Sequence, residues 1–272
     1  MSQSRGMYPA LFICHGGGPM PILGDPGHKP MVDKWKQHAQ DIVAKYGKPT
    51  AIAVVSAHYN TSAPEVGGAG RPEMWYDYYG FPKEGYTIQY SAPGNPSLAQ
   101  EMAQAMKDAG LKATANPSRR YDHGVFVPLL TMFPDADIPV IPVSVLAGDS
   151  PTEHMKMGTA LRPFRERGVF FLGSGSSMHH FGNLGRKGAG TTFNNALTEA
   201  LTKHEEWSGE ERMAALAKVE TFAGFDEAHP PGAHEHLMPL LTLLGTAAGN
   251  AAKEVANLPF ISANVRHYLF EN

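Results

Sequence analysis

A single cysteine, Cys14, stands in 272 residues, and that scarcity excludes internal disulfides and cysteine-built metal sites. Charge of one sign is also missing. The formal net charge is -3, with no block of lysine or arginine to face a phosphate backbone, so no nucleic-acid partner is expected. No apolar stretch approaches the length of a bilayer span, and the opening MSQSRGMYPALFIC lacks the apolar core of a secretory signal. The expectation is a cytoplasmic protein without membrane contact. Repeats, low-complexity tracts and long linkers are absent too, which favours one domain over residues 1–272. The sequence leaves open whether the chain forms a homo-oligomer.

What is present is an ordinary hydrophobic fraction of 42%, enough for a sizeable core, and 13 histidines. Against one thiol, that number shifts any metal site toward nitrogen and oxygen ligands. Continuous apolar runs at ALFIC (10–14), AIAVVSA (51–57), IPVIPVSV (138–145) and GVFFLG (168–173) read as buried strands. Strands without polar alternation are covered on both faces. The fold class is therefore α/β, a mostly parallel central sheet with helices on either side. Helical patterns cover 31–47, 95–110, 192–207, 209–224 and 235–249, the second opened by Asn95 as N-cap and Pro96 at the first helical position.

Ligands of open α/β sheets bind beyond the carboxyl ends of the strands, and here those ends deliver histidine. ALFIC runs into His15, AIAVVSA into His58, and GVFFLG through a small-residue turn into His179 and His180. DHG (122–124) and HEH (234–236) add His123, His234 and His236. A lone histidine is more often a satisfied surface or core residue, and that plainer reading is kept for His28, His38, His154, His204 and His267. An imidazole at the end of an apolar strand is costly without a partner, so repetition at several ends points to one shared site. HGGGP (15–19) lets backbone approach a ligand closely but has no following lysine, which rules out a P-loop. GSGSS (173–177) puts glycine where a nucleophile elbow needs serine. A metal site built from histidines remains.

The stretches LFICHGGGPM, VVSAHY, DYYGFPKEGYTIQYSAPGNPSLA, DHGVFVPLLTMFPDADIPVIPVSV, FLGSGSSMHHFGNL and EAHPPGAHEHLMPLL follow one another over most of the chain. In that order they resemble the class III extradiol ring-cleavage dioxygenases of the LigB superfamily, specifically the branch similar to 4,5-DOPA extradiol dioxygenase. The resemblance implies metal binding by His15, His58 and His236, acid–base work by His179, and contact of His123 with substrate oxygen. It implies Fe(II), with Zn(II) as the other ion such a site takes, and a catecholic substrate opened with O2. His180 stands where relatives often carry asparagine. HGGGP has one residue more than the HGSP of relatives, and Tyr76-Asp77-Tyr78-Tyr79-Gly80 replaces a segment in which many carry histidine and aspartate.

A zinc-dependent hydrolase using the same histidines is the competing enzyme, and a Memo-like scaffold is the non-enzymatic alternative. SRRYDHG (118–124) leads through Arg119 and Arg120 to His123, and MWYDYYGF (74–81) offers aromatic rings, Tyr79 among them. Arginine forks suit carboxylates, so the expected substrate is a catechol or related phenol bearing a carboxylate, bound toward Arg119 or Arg120.

Overall fold

Strands that are apolar on both faces need neighbours on both edges and cover above and below. In the computed structural model of the chain, which describes residues 7–202 and 206–271, they have both. The strands are β1 (Ala10–Cys14), β2 (Ala51–Thr61), β3 (Glu65–Gly67), β4 (Thr114–Asn116), β5 (Val140–Leu146), β6 (Val169–Gly175), β7 (Lys253–Phe260) and β8 (Ala263–Phe270). They form one sheet in the order β4-β3-β5-β2-β6-β1-β8-β7. The four central strands, β5-β2-β6-β1, run parallel, while β8 and β7 close one edge as an antiparallel hairpin. The expected mostly parallel α/β fold is observed.

The longer helices are α1 (Lys29–Tyr46), α2 (Pro96–Asp108), α3 (His123–Met132), α4 (Pro151–Leu161), α5 (Thr191–Thr202), α6 (Gly209–Leu216) and α7 (Met238–Thr246). Alternation along β6 shows how they divide. A Cβ on Gly173 would meet Leu243 of α7, whereas the Ser174 hydroxyl donates to the Gly124 carbonyl of α3 at 2.5 Å. Neighbouring residues of a strand point to opposite faces, so α7 and α3 cover opposite sides of the sheet. Between them Phe170, Phe171 and Leu172 are fully buried, and each such side chain contributes about 1.5–3 kcal/mol through removal from water.

Two expected helices are shorter than their apolar patterns. α6 stops at Leu216 and a 3-10 turn follows at Val219–Thr221, where the Thr221 hydroxyl donates to the Lys218 carbonyl at 2.7 Å. A local side-chain bond of this kind, in a segment rich in β-branched residues, competes with helix continuation. α7 begins at Met238 rather than 235, because the His236 carbonyl is taken by the Ser176 N–H at 2.8 Å. The pattern expected over 192–207 is helical through Thr202, and residues 203–205 lie outside the described ones. The β7–β8 hairpin was not expected. β7 is a half-exposed edge strand containing Pro259, which weakens its strand pattern.

Histidines away from the strand ends are core residues with defined partners. His154 is fully buried, its Nε2 accepting from the Leu146 N–H at 2.9 Å while Nδ1 lies 2.7 Å from the Ser150 carbonyl. That arrangement fits only the neutral ring, and burial lowers its pKa to about 4. His38 Nε2 meets His267 Nδ1 at 3.2 Å, and burial lowers His38 to about 4 and His267 further still. In the unfolded chain these groups take up protons near pH 6.5. The unfolded state therefore binds more protons between about pH 6.5 and 4, and stability is lost as pH falls through that window, by up to about 1.4 kcal/mol per pH unit for each group. Urea midpoints should drop steadily from pH 7 to pH 4.5, with a shallower slope in His154→Gln. A midpoint independent of pH over that range would show that these rings accept protons in the folded state.

Candidate metal centre

Strands β1 and β2 flank β6, so they lie roughly 9–10 Å apart. Histidines at their ends can meet only if the strand between them carries little bulk. β6 meets that need with Ser174 and Gly175, paired with Ile13 and Cys14 on one side and Ser174 with Ser56 on the other. His15 follows Cys14 directly. His58 sits inside a bulge of β2, where the register with β5 slips between Ser56 and Asn60. Bulges re-aim side chains, and here the His15 and His58 rings come to 4.9 Å between centroids. His236 arrives from the turn before α7. A Cβ on Gly175 would lie 2.1 Å from its carbonyl oxygen, so only glycine lets the two backbones pass.

Nitrogens of His15, His58 and His236 all lie within 4.8 Å of one another, a group compact enough to hold one ion. Each Nδ1 has an oxygen beside it. The Ser174 hydroxyl spends its proton on Gly124, so it accepts from His15 Nδ1 at 3.0 Å. Glu235 lies 2.8 Å from His236 Nδ1, and Asp77 lies 3.4 Å from His58 Nδ1. Partners of this kind leave Nε2 as the lone-pair nitrogen, the pattern of metal-binding imidazoles. The Nε2 of His236 is buried without a hydrogen-bond partner, and those of His15 and His58 face each other at 3.0 Å. Two ring nitrogens at that separation need either one proton shared between them or a cation against both. The residues fit a divalent ion.

Burial holds all three rings well below the ordinary imidazole pKa, and the neighbouring histidines push in the same direction. Neutral rings are the state that binds metal.

Two further histidines join this group. His123 opens α3, its ring centroid 3.9 Å from that of His58 and its Nδ1 2.9 Å from Asp77. His179 stacks on His236 with centroids 3.2 Å apart and planes at 12°, and its backbone N–H donates to the Ala228 carbonyl. Burial, then the nearby His123, lowers the His179 pKa to about 4. His179, Glu235 and His236 form another group close enough to hold an ion, as do His58, Asp77 and His123. Burial alone would raise the Asp77 carboxyl, but the hydrogen bonds and charge of His123, together with His58, outweigh this and lower it. Burial raises Glu235.

Asp77 and Glu235 carry no weight in the sequence reading, although both lie within motifs it singles out. His28 also does more than fill space. Its Nε2 accepts from the Gly17 N–H at 3.1 Å, and its Nδ1 lies 2.6 Å from Asp25. This ties down the glycine loop after His15, where Gly16 sits at φ +80° with Pro21 and His28 where a Cβ would be. His180 is half-buried ahead of the short helix Phe181–Leu184, and His234 faces Glu220 at 3.3 Å. His204 lies outside the described residues.

The expected substrate contacts divide differently. Arg119 is buried against Asp122, its guanidinium 3.8 Å from the Tyr59 ring, so its fork is committed within the protein and not open to a substrate carboxylate. Arg120 is exposed, 5.7 Å from the Trp75 ring. Tyr79 is 92% exposed, so its ring projects into solvent and does not line the buried histidine cluster.

Residues 9–268 match the protein family described as the catalytic LigB subunit of aromatic ring-opening dioxygenase. Dioxygenase tasH of Hapsidospora irregularis is 39% identical over 266 residues, covering 90% of this chain and 80% of that protein. The 4,5-DOPA dioxygenase extradiol of Beta vulgaris is 34% identical, covering 94% of this chain and 92% of its own length. That of Escherichia coli strain K12 is 31% identical, covering 92% and 88%. The crystal structure of an uncharacterized protein from Escherichia coli K12 superposes with a TM-score of 0.75 at 27% identity, over 97% of this chain and 99% of that one.

Replacing His15, His58 or His236 with alanine should each reduce bound metal to background by elemental analysis after Fe(II) or Zn(II) loading. His179→Ala should keep its metal. Full occupancy in any of the first three variants would remove that residue from the ligand set, and an empty His179→Ala protein would add His179 to it.

Proposed function

Since the chain belongs to the LigB family of aromatic ring-opening dioxygenases, we propose that it opens a catecholic ring at the extradiol position with O2, at an Fe(II) ion held by His15, His58 and His236. Zn(II) is the other ion the same donors take. The observation that carries the reading is the set of Nε2 lone pairs, that of His236 buried without a partner. When bound, the ion supplies open positions for the catechol oxygens and O2, and Lewis acidity that favours the catecholate.

The remaining work falls to the chain. Proton transfer needs a neutral ring beside the bound diol, and burial keeps His179 neutral at working pH. A neutral ring can take the diol proton, and its weak basicity drives the return of that proton in the later step. His123 orients a substrate oxygen. Water is excluded by the burial of His15, His123 and His236. The catecholic ring is supported by the relatives named 4,5-DOPA dioxygenase extradiol. DOPA itself is not proposed, because Tyr76 stands where many relatives carry histidine. For a substrate bearing a carboxylate, Arg120 is the available partner, since Arg119 already holds Asp122.

After anaerobic Fe(II) loading, a panel of catechols should include at least one that consumes one O2 per ring opened and gives a yellow semialdehyde product. His179→Ala should lower kcat by about 10²–10⁴-fold with iron content unchanged. Ester hydrolysis without oxygen uptake across the panel would overturn the dioxygenase reading in favour of a zinc hydrolase.

A further inference from the structure

Asp77 lies outside the metal triad, yet it touches two of the histidines that matter most. Its side chain is 8% exposed. Oδ1 accepts the backbone N–H of His123 at 3.0 Å and lies 2.9 Å from the same residue's Nδ1. Oδ2 lies 3.4 Å from Nδ1 of His58. We propose that Asp77 is the positioning residue of this centre, one carboxylate that fixes His58 and His123 together as Nδ1–H imidazoles.

A backbone N–H can only donate, so the oxygen it meets must accept. An ionised carboxylate has no proton to offer, and the ring nitrogen sharing that oxygen must therefore carry one. The neutral His123 ring is then the Nδ1–H tautomer, whose Nε2 lone pair can meet a substrate hydroxyl. The second oxygen, 3.4 Å from His58 Nδ1, places its charge where a proton on that nitrogen is favoured, so that His58 Nε2 is left to face His15 and the ion. Proton position on both rings is thus set from one residue, and the two rings are locked together, centroids 3.9 Å apart. This inference rests on reading His58 as a metal ligand.

Asparagine exposes the requirement. An amide offers one oxygen and one NH2, and the invariant N–H of His123 claims the oxygen. The NH2 is then turned toward His58 Nδ1, which must accept, and the proton on His58 moves to Nε2, the nitrogen the metal needs. A residue serving only to cap α3 would not notice this change, because the oxygen at the helix end is kept.

The test compares wild type, Asp77→Asn and Asp77→Ala by Zn(II) affinity in competition with a chelator, and by histidine side-chain 15N NMR on metal-free protein. Asp77→Asn should bind Zn(II) about 10–100-fold more weakly, the usual effect of losing a partner of a metal-bound histidine. Its His123 should stay Nδ1–H while His58 becomes Nε2–H. Asp77→Ala should lose affinity similarly and release His123 into a mixture of tautomers. Wild-type affinity in Asp77→Asn would overturn the proposal. So would Nε2–H on His58 and His123 in the wild-type protein, a measurement that stands if neither variant folds. No catechol enters either measurement. A chain with these tautomers and affinities that opened no ring would leave Asp77's role intact and defeat only the proposed function.

Discussion

The constraint on which the rest of this structure depends is that its clustered imidazoles stay uncharged. His15 has three other histidine rings, those of His58, His123 and His236, within 5.3 Å between centroids, and His179 lies directly against His236. Protonating His15, His58 or His236 would bury a cation among rings that are themselves denied water. Burial and mutual repulsion act in the same direction on His15, His58 and His236. Neutral rings still need partners at one nitrogen, and each of the three has one: Ser174, Asp77 and Glu235. Because those partners all sit at Nδ1, the Nε2 atoms are the ones turned inward, those of His15 and His58 meeting at 3.0 Å.

Much of the surrounding architecture follows from meeting that constraint at the end of a parallel sheet. Small residues on β6 let histidines from the two flanking strands lean together, and Gly175 lets the His236 backbone cross at close range. The bulge in β2 turns His58, whose backbone N–H bonds to the Ser56 hydroxyl at 3.2 Å. Ser56 in turn donates to Asp122 at 2.7 Å, and Asp122 is met by Arg119. Burial raises the Asp122 carboxyl, and the Arg119 charge opposes that shift. Arg119 therefore supports the site from behind, through Asp122, Ser56 and the bulge.

Legibility in the sequence follows the range of the interactions involved. β1 matches its apolar run because Ala10–Cys14 is buried without interruption, and β6 extends its run by two residues because Ser174 and Gly175 still pair with β1. The histidines at strand ends were readable because strand direction alone brings them to one rim. Asp77 and Glu235 were not, since an acid beside tyrosines or between histidines looks the same whether it faces solvent or a ring. Arg119 was misread for a related reason. Its nearness to His123 in sequence suggested a pocket-facing fork, whereas the three-residue step to Asp122 decides where it points. His28 had the right plain reading, a satisfied histidine, but its partner, Gly17, lies in the glycine loop after His15 and so steadies that loop.

The two histidines outside the triad lie against different members of it, His123 against His58 and His179 against His236, and are held differently. His123 is fastened twice by Asp77, through backbone and ring, at 3.0 and 2.9 Å. His179 leans on His236, and the nearest carboxylate, Glu235, is 4.0 Å from its Nδ1, too far for a hydrogen bond. Glu235 spends its short contact on His236 instead. A ring fixed at both ends of its attachment suits the orientation of a substrate oxygen, because its lone pair cannot turn away. A ring held by stacking alone keeps both nitrogens available, which is what taking up and returning a proton requires. The division of labour proposed for His123 and His179 thus rests on how tightly each is tethered, and the one carboxylate tether, Asp77, also lies beside His58.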